Sequence, residues 1–320
     1  VSTLKPTVRD YYGRILVVVL LLVAMYFVAR LERYYLLFII NILYFASIVL
    51  AWNIIGGYAG QLDLASAAYM ATGGIVTALL IDNLNIPPLI AVFGGGLTSA
   101  VLAGAIGFPM FRFGVKEVWY ALSTAALVVI LNNAIRLLIG PFEYYLAARP
   151  IKTYDELYLY TSIALLLVLV FNNVISRSKL GFYLRAIRED ELAAEAIGID
   201  TRKYKLLALL VYAFIVGSLG YLYIALIGYF YTYRFYDTSI SVSIAILGII
   251  GGLGSVEGAL VSAVILRGVG EYLRAHFAYI IPGLHLLLYG IVLLVIGIFE
   301  PEGIAGLSRR IYSVLRGARS

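Results

Sequence analysis

The side chains on which most enzymes rely are scarce in these 320 residues, which contain no cysteine and two histidines. Thiol nucleophiles, disulfides and Cys- or His-rich metal centres are thereby excluded, and no metal site is expected. No G-x-x-x-x-G-K-[ST] run occurs either, so the chain carries no Walker-type nucleotide site of its own. What remains is a small set of acids, bases, amides and glycines. Gln61, the single glutamine, and Asp63 stand at the head of an apolar run. A carboxylate there could meet the ammonium of a solute, or it could cap the helix that follows. Glu257, Arg267, Glu271 and Arg274 fall in or beside a later run, with Arg267 and Glu271 one helical turn apart. They suit a structural clasp, since a proton relay would need further titratable groups along the same stretch. Gly56, Gly57 and Gly60 precede one run, and Gly248, Gly251, Gly252 and Gly254 interrupt another. Glycine weakens continuous helix and lets backbones approach closely. Each cluster therefore either breaks a helix beside a pathway or packs two helices together. Gln61, Asp63, Gly248, Gly251, Gly252 and Gly254 are the candidate pathway residues.

The elements that must position these residues are apolar. Hydrophobic residues make up 62% of the chain and charged ones 13%, roughly half the charged share of a soluble domain. Runs of membrane length occur near 15–29, 35–52, 62–81, 88–108, 118–139, 158–175, 206–228, 239–254, 258–280 and 284–299. The fold class is thus an all-α polytopic membrane protein with about ten transmembrane helices, some interrupted by glycine, in one domain over 1–320. Lys5, Arg9 and Arg14 lead into a first run with no small-residue cleavage pattern after it, so that helix is expected to be retained. If the N-terminus is cytoplasmic, 16 of the 24 Lys and Arg residues fall on the cytoplasmic side, including those of the 308–320 tail. Both termini are then inside the cell, as an even number of crossings requires. The net charge of +6 is accounted for by basic residues at span ends rather than by a stripe with interleaved aromatics, so no nucleic-acid partner is expected. Tyrosine clusters such as Tyr11–Tyr12, Tyr34–Tyr35, Tyr144–Tyr145 and Tyr229–Tyr233 adjoin the span ends, where amphipathic rings meet membrane lipid.

One segment cannot lie in lipid. Residues 177–205 hold 12 of the 42 charged residues. Within them, 184–197 is rich in helix formers, pairs Arg185 with Glu189 at i,i+4, and ends at Gly198, a natural helix stop. A short helix is expected there, with Leu184, Ile187, Ala194 and Ile197 on one face. It could be a solvated or membrane-lying loop helix, or a docking element.

The stretch LRAIREDELAAEAIGIDTRKYKLLAL (184–209) resembles the cytoplasmic coupling loop of LivM-type permease subunits of branched-chain amino-acid ABC transporters. The likeness continues through IVGSLGYLYIA (215–225), SIAILGIIGGLGSVEGALVSAVIL (243–266) and LLLYGIVLLVIGIFEPEGIAGL (286–307). Upstream, NIIGGYAGQLDLASAAYMATGGI (53–75) is similar to the Gly-rich segment of that family. The resemblance implies a permease subunit in the inner membrane that imports a hydrophobic amino acid and performs no covalent chemistry. It also implies a second permease subunit, an extracytoplasmic solute-binding protein, and two cytoplasmic ATPase subunits that would hold the ATP and Mg. Arg188, Glu189, Glu191, Ala193, Ala194, Glu195 and Gly198 would then form the surface that docks on an ATPase. Two departures stand out. The family usually has serine and then glycine-histidine where this chain has Asp63, Ala65 and Ser66, which leaves the solute open to urea, a sugar or a nucleoside. After the fifth run the family's Gly-rich motif is replaced by Ile139-Gly-Pro-Phe-Glu-Tyr-Tyr145, so the outer loop that meets the binding protein is expected to differ. An ATP-independent channel would need no coupling helix, and an intramembrane enzyme would need a cluster of His, Asp or Cys at membrane depth.

Overall fold

Apolar runs become helices in hydrocarbon because each backbone N–H must find an internal carbonyl. The computed structural model describes residues 8–30, 32–147, 150–277, 283–300 and 303–306, with side chains other than those of 8–15, 29 and 139. The 308–320 tail, Lys5, Arg149 and the end of the ninth run at 278–280 lie outside the described residues. In chain order the helices are α1 (Val8–Ala29), α2 (Arg33–Trp52), α3 (Ser66–Leu84), α4 (Pro88–Arg112), α5 (Glu117–Ile139), α6 (Tyr154–Arg177), α7 (Lys179–Glu189), α8 (Glu191–Ala196), α9 (Thr201–Ile227), α10 (Thr232–Phe235), α11 (Thr238–Gly251), α12 (Val256–Phe277) and α13 (Leu284–Phe299). Two three-residue strands, β1 (Glu143–Tyr145) and β2 (Tyr229–Tyr231), pair antiparallel with Tyr144 opposite Phe230.

The protein is all-α and polytopic, as its composition implies. Seven segments are long and apolar enough to cross a membrane: Arg33–Tyr58, Ser66–Leu84, Pro88–Arg112, Glu117–Leu138, Tyr154–Arg177, Thr201–Ile227 and Thr232–Gly251. Leu16–Val28 and Leu284–Phe299 are apolar but shorter. α12 carries Glu257, Arg267, Glu271 and Arg274 and is not among the seven. By length and composition the count among the described residues is therefore seven where the sequence led us to expect about ten.

Two boundaries also shift. The third run turns helical only at Ser66, because residues 60–65 follow a non-helical path. The eighth run is not interrupted within the helix. α11 continues through Gly248 to Gly251 and stops where Gly252 (φ 101°) and Gly254 (φ 79°) take up the left-handed backbone that glycine alone adopts without strain.

α2 is the central element, buried along almost its whole length and packed against α6, α9, α11 and α12. Its last turn widens into a π-helical stretch, Asn53–Tyr58, a form that often accompanies functional sites. α3, α4 and α9 meet through small residues. A Cβ on Gly73 would lie 2.4 Å from the Gly217 carbonyl oxygen, and one on Gly220 would lie 2.0 Å from that of Met70. Backbones this close gain dispersion contacts where lipid offers no hydrophobic drive for association. At one end of the bundle the β1–β2 ribbon is fastened to α3, with Tyr144 Oη donating to Asp82 Oδ2 at 2.9 Å. The opposite end carries α7, α8 and the turn from α11 to α12.

Arg267, only 3% exposed, fixes α12 in place. Its Nε donates to Asn41 Oδ1 (3.1 Å), its guanidinium lies 3.6 Å from the Phe45 ring centre, and its Nη2 stands 3.6 Å from Glu271 Oε2. Arg274 completes the chain of contacts, reaching Glu271 at 3.5 Å and His285 at 2.9 Å. These contacts join α12 to α2 and α13, which is the clasp geometry.

Candidate functional site

The loop between α6 and α9 is built from a succession of helix caps. Ser178 ends α6 and caps α7, its Oγ accepting from Gly181 N at 3.2 Å. Asp190 ends α7 and caps α8, accepting from Ala193 N at 3.0 Å. Asp200 caps α9 by accepting from Lys203 N at 3.1 Å. The single helix expected over 184–197 is thus two helices. The reason is local, since aspartate competes with the helix backbone for N–H groups and favours a cap over an interior position. Gly198 does end α8 (φ 87°), in a Schellman arrangement with Gly198 N bonded to Glu195 O (2.9 Å) and Ile199 N to Ala194 O (3.0 Å).

The break at Asp190 changes which side chains are free. Leu184 and Ile187 are buried as expected, but Ile197 is 75% exposed, and so is not on their face. Ala194, expected on the docking surface, is 2% exposed and packs with Ile187 and Ile199 of its own loop. Glu191 pairs with Lys205 at 2.6 Å, and Glu195 accepts from Thr201 Oγ1 at 2.6 Å, so both acids hold α8 onto α9. Glu189, Ala193 and Gly198 are exposed, and beside them stands Leu192 at 78%.

Arg188 faces inward. Its Nη1 donates to the carbonyls of Gly57 (2.7 Å) and Leu253 (3.2 Å), while Nη2 pairs with Glu189 at 2.8 Å. The glycines make room for it: a Cβ on Gly60 would lie 2.6 Å from Arg188 Cγ, and one on Gly254 would lie 3.0 Å from Nη1. Arg188 therefore joins α7, the π-helical stretch and the α11–α12 turn at a single point. Beneath it lies an amide network that the sequence did not reveal. Asn53 Oδ1 accepts from Gly254 N (3.0 Å), Asn53 Nδ2 donates to Asn172 Oδ1 (3.3 Å), and Tyr58 Oη donates to the same oxygen (2.8 Å). Asn172 Nδ2 turns back to the Leu50 carbonyl. Asparagines inside apolar runs were the available signal, but only the fold shows that two of them, 119 positions apart, are partners.

Asp63 is fully buried, two residues ahead of the Ala65 cap of α3. Its Oδ1 accepts from Ala65 N (2.9 Å), and its Oδ2 accepts from Tyr120 Oη (2.8 Å) and Tyr69 Oη (3.4 Å). Trp52 Nε1 donates to its carbonyl at 2.9 Å. The carboxylate thus neither caps α3 nor faces open space, but locks the turn before α3 to α5 and to Tyr69 of α3, while the backbone carbonyl ties the same turn to α2. The candidate glycines divide as well. Gly248 faces Trp52, 2.5 Å from where its Cβ would be, and Gly251 meets the Gly258 carbonyl oxygen at 2.6 Å, so both pack helices. Gly252 and Gly254 form the turn that receives Arg188. Gln61 is separate from Asp63 and lines a cavity beside α8 together with Glu191 and Glu195.

A bundle of apolar, glycine-packed helices, with Arg188 of α7 bonded to the backbone of the π-helical stretch and of the glycine-rich α11–α12 turn, is that of a polytopic membrane protein. Residues 34–297 match the model of the family described as "Branched-chain amino acid transport system / permease component", and the chain belongs to that family. It is 25% identical over 305 residues, 84% of this chain and 69% of the relative, to the high-affinity branched-chain amino acid transport system permease protein LivM of Escherichia coli strain K12. It is also 25% identical over 296 residues to the protein of the same name from Salmonella typhimurium strain LT2, covering 81% and 67% of the two chains. No solved structure matches.

Proposed function

We propose that this chain is the transmembrane permease subunit of an ABC importer for branched-chain or similar hydrophobic amino acids. In this reading 1–320 is one permease domain in the inner membrane, with both termini and the 177–205 loop in the cytoplasm. A second permease subunit completes the pathway, an extracytoplasmic solute-binding protein delivers the solute, and two ATPase subunits hold the ATP and Mg. The family and the names of the two relatives support the solute class. The mechanical part is supported by one observation, the three-way junction at Arg188. A helix pushed by a motor transmits motion only if it grips the spans. Arg188 grips two spans by their backbones, which side-chain rearrangement cannot easily release. Closure of an ATPase pair would tilt α7 and α8, and the π-helical stretch at Gly57 and the Gly252–Gly254 turn would act as hinges.

The exposed side chains of α8 and of the residue after it, with Leu192 and Ile197 at their centre, are the surface offered to the ATPase in this reading, while Arg188, Glu191, Ala194 and Glu195 hold the lever together. The test is reconstitution with the partner subunits in vesicles. ATP-dependent uptake of a branched-chain amino acid that is lost in Arg188→Ala, with the assembly intact, is the expected result. Uphill uptake by the chain alone would sink the proposal.

A further inference from the structure

α5 is attached to the bundle in a different way from its neighbours. α3, α4 and α9 interlock through glycines, and a Cβ on Gly95 would collide with the Gly73 carbonyl oxygen. Residues 117–139 contain no glycine, and among the described side chains of α5 only Tyr120, Ala121, Thr124, Leu127 and Val128 are buried. What fastens this helix is a polar ridge of residues four or eight positions apart. At the α7–α8 end of the bundle, Tyr120 Oη donates to the Asp63 carboxylate at 2.8 Å and Thr124 Oγ1 accepts from Leu64 N at 3.0 Å. At the ribbon end, Asn132 Nδ2 donates to the Tyr236 carbonyl at 2.8 Å and the Arg136 guanidinium lies 4.3 Å from the Tyr233 ring centre. Val128, between the two pairs, is fully buried. Asn132 Oδ1 is buried with no hydrogen-bond partner among the described residues, and beside it the Tyr236 hydroxyl meets that of Thr72 at 2.9 Å.

The two kinds of joint differ in what it costs to part them. Separating interlocked backbones gives up close-packed contacts outright. Parting a polar ridge exchanges hydrogen bonds within the protein for hydrogen bonds to water, which changes the free energy far less. Polar side chains are costly inside hydrocarbon and mark functional seams there, and this seam suits a joint that opens to water. We propose that α5 is a gate helix. It swings away from α3 and α11 as one unit, releasing Tyr120, Thr124 and Asn132 and admitting water to the seam, while α3, α4 and α9 stay together. The Asn132 Oδ1 acceptor left open in the closed arrangement takes a water once the seam is hydrated. That the motion serves transport rests on the importer reading above, but the motion itself is testable on the permease alone.

Because the chain has no cysteine, Val128→Cys in the full-length permease reports water in the seam, and Val216→Cys, equally buried on α9, reports loosening of the bundle as a whole. Tyr120→Phe keeps the ring stacked on Phe111 but removes the bond to Asp63. It should raise the rate of maleimide labelling at Val128→Cys about ten-fold and leave that at Val216→Cys unchanged. Asn132→Ala should do the same from the other end, and it carries the test if Tyr120→Phe misfolds. Unchanged labelling of Val128→Cys in both variants, or an equal rise at both cysteines, would overturn the gate. In vesicles with the partner subunits, Val128→Cys should be labelled faster during ATP turnover than without ATP. Leu64 N and Thr124 Oγ1 are close enough for a disulfide between Leu64→Cys and Thr124→Cys, which should abolish uptake until it is reduced. Full uptake with that disulfide formed would overturn the gate and leave the importer reading intact. Absence of ATP-driven uptake in the parent would remove the importer reading, and labelling of the isolated permease would still decide whether α5 opens.

Discussion

Arg188 Nη1 lies 2.7 Å from the carbonyl oxygen of Gly57, a residue 131 positions earlier in the chain. The same nitrogen reaches Leu253, 65 positions later. One guanidinium group thus ties a loop helix to the ends of two different spans, and both acceptors of its Nη1 are backbone atoms that no substitution can remove. The functional sensitivity should therefore reside in the arginine. Hydrogen bonds to a charged group contribute about 1.5–3 kcal/mol, so Arg188→Ala should weaken the junction by that order. In reconstituted vesicles the expected outcome is retained co-purification with partner subunits, retained ATP hydrolysis and strongly reduced uptake. Arg188→Lys should rescue little, because a single ammonium cannot reproduce the fixed fork of a guanidinium. Full uptake in Arg188→Ala would show that the loop transmits force by another contact.

The glycines around this arginine differ in what they tolerate. Gly60 and Gly254 combine left-handed backbone (φ 70° and 79°) with close contact to Arg188. Alanine at either position costs about 1–2 kcal/mol for the backbone alone and also displaces the arginine. Gly254→Ala should therefore mimic Arg188→Ala in uptake and lower the thermal midpoint of the solubilised protein. Gly198→Ala meets the same backbone cost but open space, so it should affect stability and leave the junction intact. Equal uptake defects in the two glycine variants would argue against a special role for the junction.

Much of this was legible in the sequence, and what was not has a physical reason. The span that becomes α2 could be read directly, because it is continuously apolar and buried on all sides. α12 was counted among the spans; its Arg267, Glu271 and Arg274 pair along the helix as their spacing suggests, but the contacts to Asn41, Phe45 and His285 are tertiary, which hydropathy cannot anticipate. The break at Asp190 was hidden by helix formers on both sides, and the N-cap preference of aspartate outweighed them. Asp63 was read as a cap or a solute ligand because its partners Tyr69 and Tyr120 are contributed by α3 and α5. Long-range partners decide what a buried polar group does, and a linear pattern does not contain them.

Asp63 carries a prediction of its own. Asp63→Asn keeps the shape but replaces one acceptor oxygen by an amide NH2, so either the Ala65 N–H or the two tyrosine hydroxyls must lose their acceptor. An unsatisfied buried group costs about 1–3 kcal/mol. The variant should have a lower thermal midpoint, and any remaining uptake should show an unchanged solute preference. A shifted preference among leucine, isoleucine and valine at normal stability would instead place Asp63 on the pathway.

Sidedness can be read directly from cysteine accessibility on a chain that has none of its own. The β1–β2 ribbon and the α7–α8 loop sit at opposite ends of the bundle, and in the proposed reading the excess of Lys and Arg near the loop puts that end in the cytoplasm. A membrane-impermeant maleimide added outside intact cells should label Glu143→Cys, which is exposed on β1, and should spare Ser178→Cys and Leu192→Cys until the cells are opened. Labelling of Ser178→Cys from outside would invert the topology and, with it, the assignment of the loop to the ATPase.

The last prediction concerns the outward face of α8. Leu192 of α8 and Ile197, the residue that follows this six-residue helix, are 78% and 75% exposed, too much apolar surface for a solvated loop whose inner face is already filled by Ala194. If this face meets an ATPase, its side chains form the apolar centre of the interface, with Glu189 at the rim. Truncating a central contact of this kind typically costs more than about 1 kcal/mol of binding. Leu192→Ser and Ile197→Ser should therefore each weaken association with the ATPase by about ten-fold, with the double variant weaker still, and neither should lower the thermal stability of the isolated permease. Ala194→Trp should behave differently. Its side chain points into the cluster of Ile187 and Ile199, so the added volume must disrupt the loop itself, and a fall in thermal stability should accompany any loss of binding. Association and stability measured side by side on the three variants distinguish an interface from an internal packing site. If the two serine variants bind the ATPase as tightly as the parent does, α8 is not the docking surface.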